Sequence, residues 1–282
     1  MKVIVTADDF GFSSEVNRAV LRAHREGVLT SASLMVTGDA VDEAVEIARA
    51  NPSLAVGLHL ALSRARSALP REAVPDLVDS DRMFPNGAFS AGLRLYFSRR
   101  ARTQLRAEIE AQFEAFARHG IPLSHVDGHQ HLHAHPAVLP IVTELASRRG
   151  AHGLRIPSEP LLASLRADRS RPIYKLAVAL GHAFVRGFGS RSPRGSCQLV
   201  IGSMMSGGMT DDYVISMLSA SRVQVSEVFF HPCEEESGEP YGPNPGDLRA
   251  LLSPRLKEFL TSSDYELTTY AGLAQETTIE HH

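Results

Sequence analysis

Two adjacent carboxylates, Asp8 and Asp9, follow a short β-branched run near the start of the chain and lead into Gly11. Strands buried on both faces of a parallel sheet read as continuous apolar runs, and α/β folds place their chemistry at the carboxyl ends of such strands. A pair of carboxylates at such an end could bind a cation or move a proton. Aspartate is also a common turn and cap residue, so the pair alone does not separate the two interpretations.

Histidines stand at the ends of other predicted strands. His59 ends one apolar run, and His231 ends a late one. Between them, five histidines occupy positions 125, 129, 131, 133 and 135, with Asp127 among them. Because the carboxyl ends of parallel strands meet on one face of a barrel, we expect these side chains to converge.

One aspartate and two histidines at such ends predict a three-ligand site for one divalent metal ion, with positions left open for water and substrate. A mixed nitrogen and oxygen donor set suits zinc but also other ions such as magnesium, so the metal's identity stays open. His59 alone, flanked by leucines, is more typical of a core histidine. The histidine-rich run could be an adventitious surface metal binder. It follows an apolar strand and precedes Pro136 near a helix start, which favours a site.

Two further polar residues lie in or next to apolar strands. Arg155 interrupts a short apolar run, so it either pairs with a carboxylate such as Asp8 or lies at the surface. Asp127 is two residues before His129, so in a strand both side chains point to the same face. Asp127 could therefore orient a metal-bound imidazole by a hydrogen bond to the ring nitrogen that does not bind the metal. Both residues are therefore candidates for support of the site.

Strand-like and helix-like segments alternate along the chain, which predicts a parallel sheet with crossover helices. About seven strands are expected, among them Val3–Thr6 and Val225–Phe230, and no G-x-G-x-x-G follows the first. This α/β pattern favours a barrel over a dinucleotide-binding sheet. We expect one domain over residues 1–275, with insertions at 63–101 and 160–196 over the active-site face and a frayed tail at 276–282.

Composition restricts the class of protein. The chain has 282 residues, a net charge of −3 and two distant cysteines, Cys197 and Cys233. The slight negative charge argues against a nucleic-acid binder, and the cysteine usage favours a reducing compartment. We see neither a secretory signal nor an apolar run long enough to span a bilayer. The sequence predicts a cytoplasmic protein and leaves its oligomeric state open, a homodimer included.

The segment from Arg166 to Arg194 carries seven basic residues and one acid around an apolar stretch. A basic-flanked apolar helix of this length is typical of contact with a membrane surface rather than of a span. The alternative is an ordinary lid or barrel helix with a solvated basic edge. The first interpretation predicts peripheral association with the inner membrane.

Together these motifs resemble the YdjC-type carbohydrate deacetylase family. The resemblance runs from T-A-D-D-F-G through V-G-L-H-L and H-V-D-G-H-Q-H-L-H to a late F-H-P. It implies a TIM-like (β/α) barrel and metal-dependent removal of the N-acetyl group from an acetylated amino sugar. Within the family, V-T-A-D-D-F-G, E-I-E-A-Q-F-E-A-F and L-R-I-P-S-E-P resemble the hopanoid biosynthesis-associated branch, HpnK. That branch implies an N-acetylglucosaminyl hopanoid lipid as substrate.

The resemblance also implies roles for five residues. Asp9, His59 and His129 would hold the metal. Asp8 would be the general base and His231 the general acid. In that mechanism Asp8 takes a proton from the attacking water, and His231 protonates the leaving amine.

Some assignments stay open. This chain reads Asp-Gly-His-Gln-His where many relatives read Asp-Ser-His-His-His, so the role of Gln130 is undecided, and His131 and His133 are second-choice ligands or substrate contacts. Alternative functions are deacetylation of soluble chito-oligosaccharides, a multi-metal phosphoesterase that uses the extra histidines, and a sugar- or lipid-binding protein with a metal site. A glycosidase is disfavoured, because neighbouring side chains on a strand diverge.

Overall fold

The chain folds as a curled parallel sheet with helices on its outer side. The computed structural model describes residues 1–85, 99–188, 195, 197–236, 238, 241–262 and 264–279. Its strands are β1 (Lys2–Phe10), β2 (Ser31–Leu34), β3 (Ala55–Leu60), β4 (His125–Gly128), β5 (Gly153–Leu154), β6 (Leu199–Ile201), β7 (Val225–Phe230) and β8 (Glu266–Thr268).

The helices follow the strands in the expected alternation. They are α1 (Ser14–Glu26), α2 (Val41–Ala50), α3 (Arg99–Arg118), α4 (Leu139–Arg148), α5 (Leu161–Ala167), α6 (Pro172–Phe188), α7 (Asp211–Ser219), α8 (Pro245–Leu251), α9 (Pro254–Leu260) and α10 (Tyr270–Ile279). A short 3₁₀ helix, His129–Ala134, follows β4. The ends of α1 are set by cap residues. The Ser13 side chain accepts a hydrogen bond from the Val16 N–H, and Gly27 ends the helix.

All strand pairs of the sheet are parallel. The order is β5-β4-β3-β2-β1-β7-β6, and β8 pairs with the first half of β1. The curl brings the two edges together, because the Val200 N–H of β6 donates to the Ser158 carbonyl beyond β5 at 3.0 Å. This seven-stranded path confirms the predicted TIM-like β/α architecture. The carboxyl ends of the strands therefore face one common opening.

β1 is longer than the sequence pattern predicted and contains an irregularity. Its pairing with β2 shifts register between Ala7 and Phe10, and Asp9 adopts a positive φ of 61°. Such a bulge re-aims the side chains of the bulged strand. The predicted divergence of Asp8 and Asp9 is wrong, because both carboxylates come within 4.8 Å of the His59 side chain.

The apolar core lies between the sheet and its helices, and polar side chains fill part of the interior of the curl. His125 is fully buried and stacks on Tyr270 with ring centroids 4.8 Å apart. Glycine makes room for this stack, because a Cβ at Gly57 would lie 2.6 Å from the His125 ring. The absence of that one atom lets an imidazole pack flat against β3.

The predicted insertions are only partly described. α5 and α6 occupy most of the segment 160–196, while residues 86–98, 189–194 and 196 lie outside the described residues, and so do the arginines at 191 and 194. α10 extends to Ile279, so the segment predicted to be frayed begins inside a helix; residues 280–282 are not described. Among the described residues, none of the helices has the length and apolar character needed to cross a membrane.

Candidate metal centre and active site

The register of the sheet places His59 beside Asp127. The two residues are direct partners in the β3–β4 pairing, and the Nδ1 atom of His59 lies 2.8 Å from Asp127 Oδ1. An Nδ1–H donated to this carboxylate leaves Nε2 free as a lone-pair donor, as is common for metal-ligating histidines. Asp127 thus orients His59, whereas the sequence had suggested His129 as its partner.

Asp9, His59 and His129 form the predicted ligand set. Each offers one ligand atom, and these atoms lie within 4.8 Å of one another. His129 Nδ1 is 2.9 Å from Asp9 Oδ1, and His59 Nε2 is 3.2 Å from the same oxygen.

The donor atoms of this set are suited to bind a divalent metal ion. Within the described part of the chain, Asp9 Oδ2 and His59 Nε2 are buried and make no hydrogen bond. Buried polar atoms without partners are uncommon in native proteins. One carboxylate and two imidazoles match the preferences of Zn²⁺ and related divalent ions, so the residues present fit such an ion.

Contacts between the ligand-set residues and the neighbouring carboxylates determine the pKa values of Asp9 and His59. Burial alone would raise the pKa of Asp9, but the charges of His129 and His59 and the hydrogen bond of His129 outweigh it and hold that pKa well below its usual value. Burial also acts to lower the pKa of His59, yet the carboxylates of Asp127, Asp9 and Asp8 raise it to about 10. The pocket therefore favours positive charge at this point.

Arg155 lies behind the ligand set and joins three carboxylates. The Nη1 and Nη2 atoms of this fully buried side chain lie 2.6 and 2.9 Å from the two oxygens of Asp8. Nη2 also lies 2.9 Å from both Asp127 and Glu227. The interpretation of Arg155 as a partner of Asp8 is confirmed. A bidentate pair fixes the carboxylate plane of Asp8 as well as its position.

Asp8 lies in the pocket next to His231. Burial raises the pKa of Asp8, and the opposing charge of Arg155 only partly offsets that effect. His231 Nε2 lies 4.0 Å from Asp8 Oδ2, because β1 and β7 pair in register up to Ala7 and Phe230. The candidate base and acid are therefore neighbours in the pocket.

Asp247 holds the backbone at His231. This buried carboxylate accepts the His231 N–H at 2.8 Å and the Met209 N–H at 3.0 Å. Burial raises the pKa of Asp247 to about 6. The contact fixes the start of the loop after β7, and it leaves the imidazole of His231 directed at the pocket, which its side chain lines.

The pocket has a volume of about 400 Å³, which is within the range of small-molecule sites. Ligand-set residues and Asp8 form its floor, and aromatic rings form part of its wall. Tyr241 stacks on Tyr174 of α6 with centroids 4.7 Å apart. Phe229 lies under the Arg155 guanidinium at 4.5 Å. A polar floor with flat apolar walls suits a sugar ring.

The two second-choice histidines lie in different places. His131 lines the pocket, and its Nε2 is 3.1 Å from the Ser203 hydroxyl. His133 is buried behind the pocket wall, where its Nε2–H donates to the Arg155 carbonyl at 2.7 Å. His131 is therefore placed to contact a substrate, whereas His133 supports the backbone of Arg155. Gln130 also lines the pocket and accepts a hydrogen bond from Ser63 at 2.9 Å.

Glu227 and Tyr270 belong to the site but were not predicted from the sequence. Glu227 Oε1 lies 2.9 Å from Arg155 and accepts a bond from the Thr6 hydroxyl at 2.8 Å, and its Oε2 accepts one from the Tyr270 hydroxyl at 2.6 Å. A signal for Glu227 was present, because it is the one charged residue in the buried, mostly apolar strand β7. Tyr270 comes from the terminal helix and carries no comparable signal.

Fold and site together define a β/α-barrel protein with a buried carboxylate–histidine cluster that could hold a metal ion, next to Asp8 and His231. A sequence model described as the YdjC-like protein family matches residues 2–262, and the chain belongs to this family.

Two curated relatives are named carbohydrate deacetylase. The protein from Brevibacillus brevis is 42% identical over 146 residues, which is 52% of this chain and 56% of that protein. The protein from Geobacillus stearothermophilus is 39% identical over 159 residues, or 56% and 59% of the two chains. The chain thus spans somewhat more than half the length of these relatives.

A solved structure resembles the whole molecule. It is the crystal structure of a proposed cellobiose-phosphate cleavage protein from Enterococcus faecalis V583. The two share 26% sequence identity with a TM-score of 0.73, and the match covers 96% of this chain and 98% of that one. The likeness therefore extends beyond the segments that match in sequence.

Proposed function

We propose that this protein is a metal-dependent hydrolase that removes the N-acetyl group from an acetylated amino sugar. The observation that carries the proposal is the convergence of Asp9, His59 and His129 beside the pair Asp8 and His231. The names of the curated relatives support the same reaction. An amide hydrolase needs a polarising cation, a base for water and an acid for the amine, and this arrangement offers a candidate for each.

The chain's own residues divide the work as follows. Asp8, held by the two nitrogens of Arg155, takes the proton of the water that attacks the acetamide carbonyl. His231, with its Nε2 4.0 Å from Asp8, gives a proton to the leaving amine. Asp127 fixes the ring of His59 so that Nε2 points at Asp9. When bound, a divalent ion supplies Lewis acidity, which lowers the pKa of water and stabilises developing negative charge.

A multi-metal phosphoesterase is the weaker candidate. Two further carboxylate–histidine groups exist among the described residues, and both include Asp127. The guanidinium of Arg155 already contacts Asp127 and one other carboxylate in each group, Asp8 in one and Glu227 in the other. A metal ion bound in either of these groups would be repelled by the positive charge of the Arg155 guanidinium. We therefore expect one tightly bound ion per chain.

The proposed substrate is an N-acetylglucosaminyl hopanoid, deacetylated to the glucosaminyl lipid. Support comes from the resemblance of motifs such as L-R-I-P-S-E-P around Arg155 to the hopanoid biosynthesis-associated branch. Soluble chito-oligosaccharides carry the same acetamide and are the alternative substrate class.

An acetate-release assay tests both levels of the proposal. The chain is loaded with Zn²⁺ or Mg²⁺, and an acetylglucosaminyl hopanoid is compared with a soluble acetylated disaccharide. We expect acetate from the lipid, with loss of activity on chelation and recovery on metal addition. Acetate from the disaccharide alone would refute the lipid substrate. No acetate from either compound, with the metal bound, would refute the deacetylase.

A further inference from the structure

Large exposed apolar side chains are concentrated in one region of the molecule. In the part of the chain that the structure describes, they are Leu162 of α5, four residues of α6 and Tyr241 at the pocket rim. Ile173 is 84% exposed and Leu180 63%. Single exposed hydrophobic residues are ordinary, whereas a contiguous exposed group marks an interaction surface.

α6 carries this surface on one face and the pocket wall on another. Ile173, Leu176 and Leu180 recur at spacings of three and four residues, so they share one side of the helix. Tyr174 and Val178, on roughly the opposite side, line the catalytic pocket. The exposed face of α6 is therefore one helix diameter from the site.

Positive charge is concentrated in the same segment of the chain. Between residues 160 and 188 the chain has five basic residues and one acid, although its overall charge is −3. Lys175 is buried and pairs with that acid, Asp168, at 2.9 Å. The remaining bases, all arginines, are exposed and lie before α6 or in its last turns. They are Arg166, Arg169, Arg171 and Arg186.

We propose that the outer face of α6, with Leu162 of α5, docks on the surface of an anionic lipid bilayer. Apolar side chains on one helix face and exposed arginines in the same segment match the two attractions of such a surface, which are acyl burial and headgroup charge. A bilayer also fits the position of the surface, because docking through α6 holds the pocket at the membrane. The presentation of a glycolipid to that pocket rests on the proposed function, whereas the docking itself does not.

Vesicle flotation of the full chain tests the docking surface. Vesicles of phosphatidylcholine with about a third phosphatidylglycerol are compared with vesicles of phosphatidylcholine alone. We expect the chain to float with the anionic vesicles, less so as salt is raised, because exposed charges are screened. A chain that stays in the soluble fraction with anionic vesicles overturns the proposal.

Two sets of variants locate the contact. Leu176→Ser with Leu180→Ser removes apolar area, and Arg166→Gln with Arg169→Gln and Arg186→Gln removes charge. Each set should reduce partitioning about tenfold or more. The matched control removes three exposed arginines elsewhere, at Arg102, Arg118 and Arg222, and should retain binding. If both surface sets bind like the wild type, or if the control set loses binding equally, α6 is not the docking surface.

A second copy of the chain is the competing occupant of this face. Size-exclusion chromatography with light scattering checks it. The membrane proposal is overturned if the wild type is a dimer that does not bind vesicles and if Leu176→Ser with Leu180→Ser dissociates that dimer.

Acetate release from the soluble disaccharide separates this proposal from the proposed function. Flotation without acetate release refutes only the activity, and acetate release without flotation refutes only the docking.

Discussion

Arg155 is the residue on which the carboxylates of the site depend. It is fully buried and contacts Asp8, Asp127 and Glu227 at 2.6–2.9 Å. A buried charge is tolerated only when it is paired and hydrogen-bonded. The planar guanidinium can serve several carboxylates at once, which the single ammonium of lysine cannot do with the same geometry. One guanidinium thus positions the proposed base and, through Asp127, one metal ligand.

Asp8→Asn tests the division of labour between the adjacent aspartates. The amide keeps the size of the side chain and one oxygen for Arg155, but it cannot take a proton. We expect turnover to fall by about a hundredfold to ten-thousandfold, as for loss of a general base. Metal content should be unchanged, because Asp8 is not in the ligand set. Acetate release and metal analysis of the purified chain measure the two quantities.

Asp9→Asn is the matched comparison for that experiment. It changes the neighbouring residue in the same way but weakens a ligand, so both bound metal and turnover should fall. If Asp8→Asn also lost the metal, or if it kept full turnover, the assignment of Asp8 as the base would be wrong.

At the scale of elements, apolar strands and capped helices were predictable from the sequence. β7 was predicted as Val225–Phe230, with the bounds that the structure has. β1 was predicted to end at Thr6 but continues to Phe10. Carboxylates normally end a buried strand, and here β1 continues because Asp8 and Asp9 find cationic or imidazole partners. Two of those partners, Arg155 and His129, are more than 100 residues away in the sequence.

The residues of the candidate site at the strand ends were predictable from the sequence, whereas those that support them from other elements were not. The strand ends indicated one aspartate and two histidines, because parallel strands bring their ends together whatever the loops do, and the family resemblance selected Asp9, His59 and His129. The contact of Glu227 with Tyr270 could not be predicted in this way. Tyr270 reaches the interior from helix α10, and the ring fits there only because Gly153 has no side chain, since a Cβ at Gly153 would overlap it.

Gly57→Ala tests the importance of such gaps. The added Cβ would lie 2.6 Å from the ring of His125, which is held on its other side by Tyr270. Overpacking of this kind typically costs about 1–3 kcal/mol, so we expect the free energy of unfolding to fall by that amount. Urea denaturation measures it. Gly181→Ala, with open space around the new Cβ, is the control and should be neutral or stabilising.

At the scale of the whole molecule, buried neutral histidines make stability depend on pH. Burial lowers the pKa of His133 and of His182 to about 4. In the unfolded chain the same imidazoles have a pKa near 6.5. As pH falls below 6.5 the unfolded chain binds protons that the folded chain does not, so the folded state loses stability progressively down to about pH 4.

His182→Leu isolates one of these contributions. Both ring nitrogens of His182 are buried without a hydrogen-bond partner among the described residues, so an apolar side chain of similar size should be tolerated at pH 7. Between pH 6.5 and 5 the wild-type imidazole costs about 2 kcal/mol of stability. The variant should therefore lose about 2 kcal/mol less than the wild type when urea unfolding is compared at pH 7 and pH 5. Equal losses in the two proteins would mean that His182 is already protonated in the folded chain or reaches water there, and the acid sensitivity would then originate elsewhere.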